Sequence, residues 1–283
     1  GHSRQQPYLV LITAAAASIA LRIRGELIPG GSERARSALA SDAGVQRERF
    51  WRALSGPLAL EAAPNAAAAR DIARLREILP WFAHDAWIHY LAPRGLEQFS
   101  RGGWGTRDVC QGPVEWLLSI GRCDSVRDLL LRVFRAQNPD GDWPQWFTFF
   151  ERDRDIRAAD AHGDVLFWPL LALARYLLAS SDASLLDEEL RFFDPRGSNQ
   201  GECASVWAHA ERALALARTR VIAGTALAAY GHGDWDDSLQ PADPALREQL
   251  CSSWTVTLQY QSFERLARAL RGVGRAARAA PLE

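Results

Sequence analysis

Residues 101–113 read Arg-Gly-Gly-Trp-Gly-Thr-Arg-Asp-Val-Cys-Gln-Gly-Pro, with three glycines around an aromatic ring, then an Arg-Asp pair and a Gln three residues after the Asp. Glycines let a backbone approach a ligand closely. Asp108, set on a turn at the lip of a cavity and desolvated there, would hold its proton and act as a general acid. The competing reading is a surface ion pair between Arg107 and Asp108, which adjacent residues seldom form well. A second cluster, Gly-His-Gly-Asp-Trp-Asp-Asp-Ser-Leu-Gln-Pro at 231–241, packs Asp234, Asp236 and Asp237 around Trp235. Three such charges repel one another unless a polyol, a metal or arginines satisfy them. The D-x-D-x-D-G spacing of a calcium loop, with its closing Glu, is missing. His84 and His89 are five apart and miss the i, i+4 spacing of a zinc helix, and His162-Gly163-Asp164 has no evident further ligand, so no metal site is predicted.

The chain has eleven Trp, and five of them (Trp104, Trp143, Trp146, Trp168 and Trp235) stand in or beside segments that carry Asp. Sugar recognition uses this pairing, because apolar pyranose faces stack on flat indoles while carboxylates and amides bond the hydroxyls. Trp168 lies in an apolar helical stretch and is read as core. The four in loops are read as ligand contacts, since long loops tend to carry function.

Composition removes other chemistries. The sequence contains no Lys, so all 33 basic residues are Arg, and Schiff-base, pyridoxal-phosphate and P-loop lysines are excluded. A formal charge of −1 gives no basic field for nucleic acid or an anionic membrane, so neither partner is expected. No G-x-S-x-G, nucleophilic Cys-His signature or dinucleotide fingerprint is present. Cys110, Cys123, Cys203 and Cys251 lie far apart without a C-x-x-C pair, which favours free thiols and a cytoplasmic location. The apolar run 8–21 is shorter than the roughly 18 residues of a membrane span and reads as a buried Ala-rich helix. The absence of Met suggests a fragment or a processed product.

The elements that must carry these residues are helical. Periodicity predicts helices over 33–55, 66–79 with Pro80 as the stop, from Asp124 as N-cap through Phe134, and over 165–179, 204–222 and 245–271. No segment shows sustained period-two alternation, so the class is all-α. Long loops rich in Gly, Pro, Trp and Asp fall at 92–107, 137–164, 194–202 and 230–244. Residues 1–65 are plainer, rich in Ala and Arg, and read as a helical linker or packing layer.

Three stretches carry a resemblance: 80–118, with Pro80-Trp81-Phe82-Ala83-His84-Asp85 and Gly102-Gly103-Trp104-Gly105-Thr106-Arg107-Asp108; 138–170, with Asp142-Trp143-Pro144-Gln145-Trp146-Phe147 and His162-Gly163-Asp164; and 224–260, with Gly233-Asp234-Trp235-Asp236-Asp237-Ser238-Leu239. In this order they resemble the catalytic barrel of glycoside hydrolase family 94, the inverting β-glycoside phosphorylases. The resemblance implies a partial (α/α)6 barrel over 66–283, with Asp108 as general acid. It also implies that Gly233 to Asp237 hold the non-reducing-end sugar, and that Trp104, Arg107, Gln111, Trp143, Gln145, Trp146, His162 and Asp164 line subsites. The implied reaction is inverting phosphorolysis of β-1,2-linked glucooligosaccharides to α-glucose 1-phosphate. It needs no cofactor, only inorganic phosphate as co-substrate, with phosphate contacts C-terminal to the Gly-Asp-Trp segment and a homodimeric full-length parent. An inverting hydrolase needs a second carboxyl to activate water, and Asp236, Asp237 or Glu97 would supply it in that alternative. A non-catalytic carbohydrate-binding helical module is the other.

Overall fold

The computed structural model describes residues 14, 15, 17–19, 43–55, 58–63, 65–92, 103–148, 150–158, 160–236 and 238–282. The chain divides into two compact units, Gly1–Glu48 and Arg49–Glu283, and apart from the start of the first helix everything below lies in the second. Most of the apolar run 8–21, all but residues 14, 15 and 17–19, lies outside the described residues, as do Glu97 and Asp237. The described residues are mostly helical with two small sheets, consistent with the all-α expectation. Among them no helix is long and apolar enough to cross a membrane.

Helix α1 covers Ala43–Leu54 and α2 Ala69–Leu91. The predicted stop at Pro80 does not occur, and α2 runs through it for another turn and more. An interior proline costs a helix about 3 kcal/mol. Beyond it, however, Ala83 and Ala86 are buried in a cluster with Leu54, Trp116 and Ile120, and this packing holds the second half helical.

Two short helices, α3 (Thr106–Cys110) and α4 (Gly112–Ser119), follow β1 (Trp104–Gly105). Neither was expected, because glycines surround the first and the second is only two turns long. Helix α5 spans Cys123–Arg135 with Arg122 at its N-cap and no side-chain cap, so Asp124 lies inside the first turn instead of capping it. Its buried face, Val126, Leu129, Leu130, Val133 and Phe134, follows the i, i+3, i+4 rows that one side of a helix presents.

Helix α6 (Trp168–Ser180) is introduced by a 3-10 turn at Val165–Phe167, with Pro169 in its first turn, where a missing N–H is no loss. It is buried almost all round and packs chiefly on α8 (Ser253–Gly272), then on α5, α3 and α4. Leu170, Leu171 and Leu173 are inaccessible, each worth about 1.5–3 kcal/mol of transfer free energy. Helix α7 (Val206–Thr219) is capped by the Ser205 side chain accepting from the Ala208 N–H. The Ser252 hydroxyl does the same for Trp254 and Thr255 at the start of α8. The predicted 245–271 helix is thus two pieces, a 3-10 turn at Pro244–Glu248 and then α8.

Strand β2 (Trp146–Phe147) pairs antiparallel with β1, Trp104 opposite Phe147 and Gly105 opposite Trp146. A second ribbon joins β3 (Glu189–Arg191) to β4 (Cys203–Ser205). The first ribbon matters most for the site, since it fixes the entry to α3. Gly103 has no room for a side chain there, because a Cβ would overlap the Phe147 carbonyl oxygen. All four cysteines are free, with Cys110 buried and Cys203 and Cys251 exposed.

Candidate active site

The start of α3 is tied to the loop before β2. The Thr106 N–H donates to the Gln145 carbonyl (3.0 Å) and its hydroxyl to the Pro144 carbonyl (2.6 Å). Within this short helix Arg107, Val109 and Cys110 point inward and Asp108 points out. The guanidinium of Arg107 is buried, with Nη2 2.9 Å from His162 Nδ1 and Nε 3.4 Å from Asp164 Oδ2. The competing reading paired Arg107 with its neighbour Asp108 at the surface; the structure buries Arg107 against the distant Asp164.

Asp164 is wholly inaccessible. Its Oδ2 also accepts from the indole N–H groups of Trp168 and Trp254, each at 3.1 Å. A buried carboxylate needs such company to offset its desolvation.

His162 is held from both sides. Its backbone N–H donates to Gln145 Oε1 (2.9 Å), and its Nδ1 lies 2.8 Å from the Asp234 carbonyl oxygen. One ring nitrogen cannot serve both neighbours at once. With a hydrogen, Nδ1 donates to the Asp234 carbonyl; without one, it accepts from Arg107. The next residue locks the two loops together, the Gly163 N–H donating to the Gly233 carbonyl at 2.8 Å. A Cβ at Gly163 would sit 2.6 Å from the Tyr230 carbonyl oxygen, and Gly233 has φ +126°, a region that favours glycine.

The 230–236 loop carries Asp234 buried and Trp235 exposed. Asp234 Oδ1 accepts from the Asp236 N–H (3.0 Å), closing a tight turn. Asp236 in turn accepts from the hydroxyl and N–H of Ser238, which hold its carboxyl below the usual carboxylate range. Burial, aided by the charges of Asp234, Asp236 and Asp164, pushes the Tyr230 phenol up. Trp235 is 58% exposed and stands 6.2 Å from Trp254, which is 6.1 Å from Trp168. Three indoles thus run from the buried Asp164 to the surface. Trp254 was not singled out in the sequence, for it has no acidic neighbour there. The spacing of Asp164 and Trp168 is the signal that could have linked them, since Asp164 starts the 3-10 turn that leads into α6.

Asp108 is exposed on the first turn of α3, where the expectation placed it desolvated. Its carboxylate leans over Gly105, where a Cβ would overlap Oδ2. Gln111 ends α3, its N–H on the Asp108 carbonyl at 3.3 Å. Trp104 and Trp143, expected to contact ligand, are completely buried. The indole of Trp104 donates to the His89 carbonyl and packs edge-on to Phe147; that of Trp143 donates to the Val133 carbonyl (2.8 Å) and packs edge-on to Phe134. Neither shows a face to solvent. Trp146 is half-buried in β2, and Trp168 is core as read. The structure therefore gathers Arg107, Gln145, His162, Asp164 and Asp234 by direct contact, with Trp235 reached through Trp254.

A mostly helical domain in which an arginine on a short helix meets carboxylates and a surface indole from two loops is suited to binding a polyhydroxylated ligand. No family model matches the chain. Over 189 residues it is 46% identical to the 1,2-beta-oligoglucan phosphorylase of Listeria innocua serovar 6a, a match covering 66% of this chain and 17% of that protein's length. The chain is thus related to a phosphorylase and spans a small part of it.

Proposed function

We propose that the chain is part of an inverting glycoside phosphorylase of glycoside hydrolase family 94, built on an (α/α)6 barrel and acting on β-1,2-linked glucooligosaccharides with inorganic phosphate. The observation that carries this reading is the buried Arg107–Asp164 pair with His162 and Asp234 around it. It draws together residues of the three motif-bearing stretches, and the similarity of the chain to a phosphorylase supports the same reading at the general level. A carboxylate-rich cradle beside an exposed indole fits a glucosyl unit, whose hydroxyls donate to Asp234 and Asp236 while its apolar face rests on Trp235.

In this reading Asp108 donates its proton to the bridging oxygen as that bond breaks. Phosphate attacks the anomeric carbon from the opposite face, and the product is α-glucose 1-phosphate. A hydrolase would need a second carboxyl to activate water. Phosphate is already anionic and needs none. The exposed Asp108 would gain its desolvation when the sugar covers it. Trp104 and Trp143 then act as packing beneath the site.

The test measures α-glucose 1-phosphate release from β-1,2-glucooligosaccharides with and without phosphate, using the natural polypeptide that contains this sequence and its Asp108→Asn variant. Phosphate-dependent product, lost in the variant, is the expected result. Reducing sugar formed without phosphate would replace this reading with the hydrolase.

A further inference from the structure

A cleft of about 650 Å³ opens between the C-terminal half of α5, the segment after β2 and the β3–β4 ribbon. It shares no residue with the candidate active site. Among the described residues five arginines line it, Arg132, Arg135, Arg154, Arg157 and Arg191, against three carboxylates, Asp128, Glu151 and Glu189. Two of those carboxylates are already used: Asp128 pairs with Arg132 at 2.8 Å and Glu151 with Arg154 at 3.1 Å. What remains is Arg135, Arg157 and Arg191 against Glu189, an excess of two positive charges.

Arg135 and Arg191 are exposed, whereas Arg154 and Arg157 are half-buried and held in place. Arg157 lies 3.6 Å over the Phe193 ring, with Arg154 also over that ring at 5.2 Å. Arg157 Nη2 donates to the Ala136 carbonyl (3.0 Å) and to Asn138 Oδ1 (2.7 Å), which fixes the plane of the guanidinium while giving it no carboxylate. Arg154 Nε is buried without a hydrogen-bond partner among the described residues. Arg191 is steadied by Nη1 on the Gly201 carbonyl (2.8 Å). Fixed guanidinium forks around unneutralised charge suit a tetrahedral oxyanion, which several forks can grip at once. The volume is that of a small-ligand pocket.

We propose that this cleft binds a phosphate group, as inorganic phosphate or carried on a small phosphomonoester. A phosphate dianion matches the charge excess, bonds the unfilled N–H groups and leaves Phe193 as an apolar wall for whatever the ester carries. The site is separate from the one where phosphate would react, so it stands or falls independently of the proposed activity.

The test is calorimetric titration of the 283-residue chain with inorganic phosphate, with α-glucose 1-phosphate and with glucose as the uncharged control. Comparison variants are Arg135→Glu with Arg191→Glu, and Asp234→Asn. The expected result is saturable phosphate binding near or below 1 mM, weakened roughly tenfold or more in the arginine double variant and retained in D234N. Tighter binding of the ester would identify a phosphomonoester as the ligand, and equal binding would identify free phosphate. Arg135 and Arg191 are exposed, so the double variant should keep the parent's circular dichroism and melting temperature. Absence of binding at about 10 mM phosphate, or affinity unchanged in a folded double variant, would overturn the proposal.

Discussion

The Arg107 guanidinium and the Asp164 carboxylate form a buried ion pair, Nε to Oδ2 at 3.4 Å, between a short helix and a loop far along the chain. Neither is open to solvent, and both are bonded further, Arg107 to His162 and Asp164 to two indoles. Removing one partner leaves the other charged and desolvated, a loss of about 3–5 kcal/mol. Asp164→Ala and Arg107→Ala should each lower the urea midpoint strongly. The double variant should cost less than their sum by about 1–3 kcal/mol, the coupling expected of groups in one network. Additive losses would show that the pair is not coupled in solution.

Gly105 and Asp108 make a second test. The carboxylate rests where a Cβ would stand, while the backbone at Gly105 has φ −61° and ψ 121°, which alanine adopts freely. Gly105→Ala should therefore move the Asp108 side chain with little change in stability, within about 0.5 kcal/mol. If Asp108 is the acid, phosphorolysis should fall by a factor of roughly ten to a hundred, as for small misplacements of a reacting group. Unchanged turnover with an intact fold would remove Asp108 from the reaction.

Trp104 and Trp235 should behave oppositely. Trp104 is fully buried, so Trp104→Ala should cost about 3–5 kcal/mol in unfolding experiments. Trp235 is mostly exposed, and Trp235→Ala should leave stability nearly untouched while weakening oligosaccharide binding measured by intrinsic fluorescence or calorimetry. Equal affinity in the two proteins would count against stacking on Trp235.

His209 on α7 predicts a pH dependence. It is buried, with Nδ1 2.6 Å from Gln137 Oε1, Nε2 3.2 Å from the Leu190 carbonyl and the Phe192 ring stacked on it at 3.7 Å. Burial drives its pKa down to about 4, against the opposing pull of the Leu190 carbonyl. Between pH 6.5 and 4 the unfolded chain takes up a proton that the folded chain refuses. Stability from this residue is therefore full above pH 6.5 and falls as pH drops toward 4, by about 3 kcal/mol at most. Urea unfolding at pH 7 and pH 4.5 should show that decline in the parent, and His209→Gln should flatten it.

The helical class and much of the helix positions follow from local pattern. The i, i+3, i+4 rows of α5 and the all-apolar run of α6 can bury their side chains in only one way. Residue types also marked Arg107, His162, Asp164 and Asp234 as chemically capable, because buried-pair and hydrogen-bonding chemistry is written in the side chain itself. Their mutual contact was not legible. It depends on two glycines, Gly163 and Gly233, bringing separate loops within hydrogen-bonding distance, and on packing between α6 and α8 that delivers Trp254 to Asp164.

Burial was the other decision left to tertiary structure. Trp104 and Trp235 look alike in sequence, each an indole among glycines and near an aspartate. One is sealed by Phe147 across a two-stranded ribbon, and the other stands clear on a loop. Pro80 likewise signals a stop, yet α2 continues, with Ala83 and Ala86 buried beside Leu54, Trp116 and Ile120 and with Leu79 and Trp87 packed against that cluster. Local sequence sets what a segment can form alone, and long-range packing sets which of its side chains meet solvent, ligand or one another.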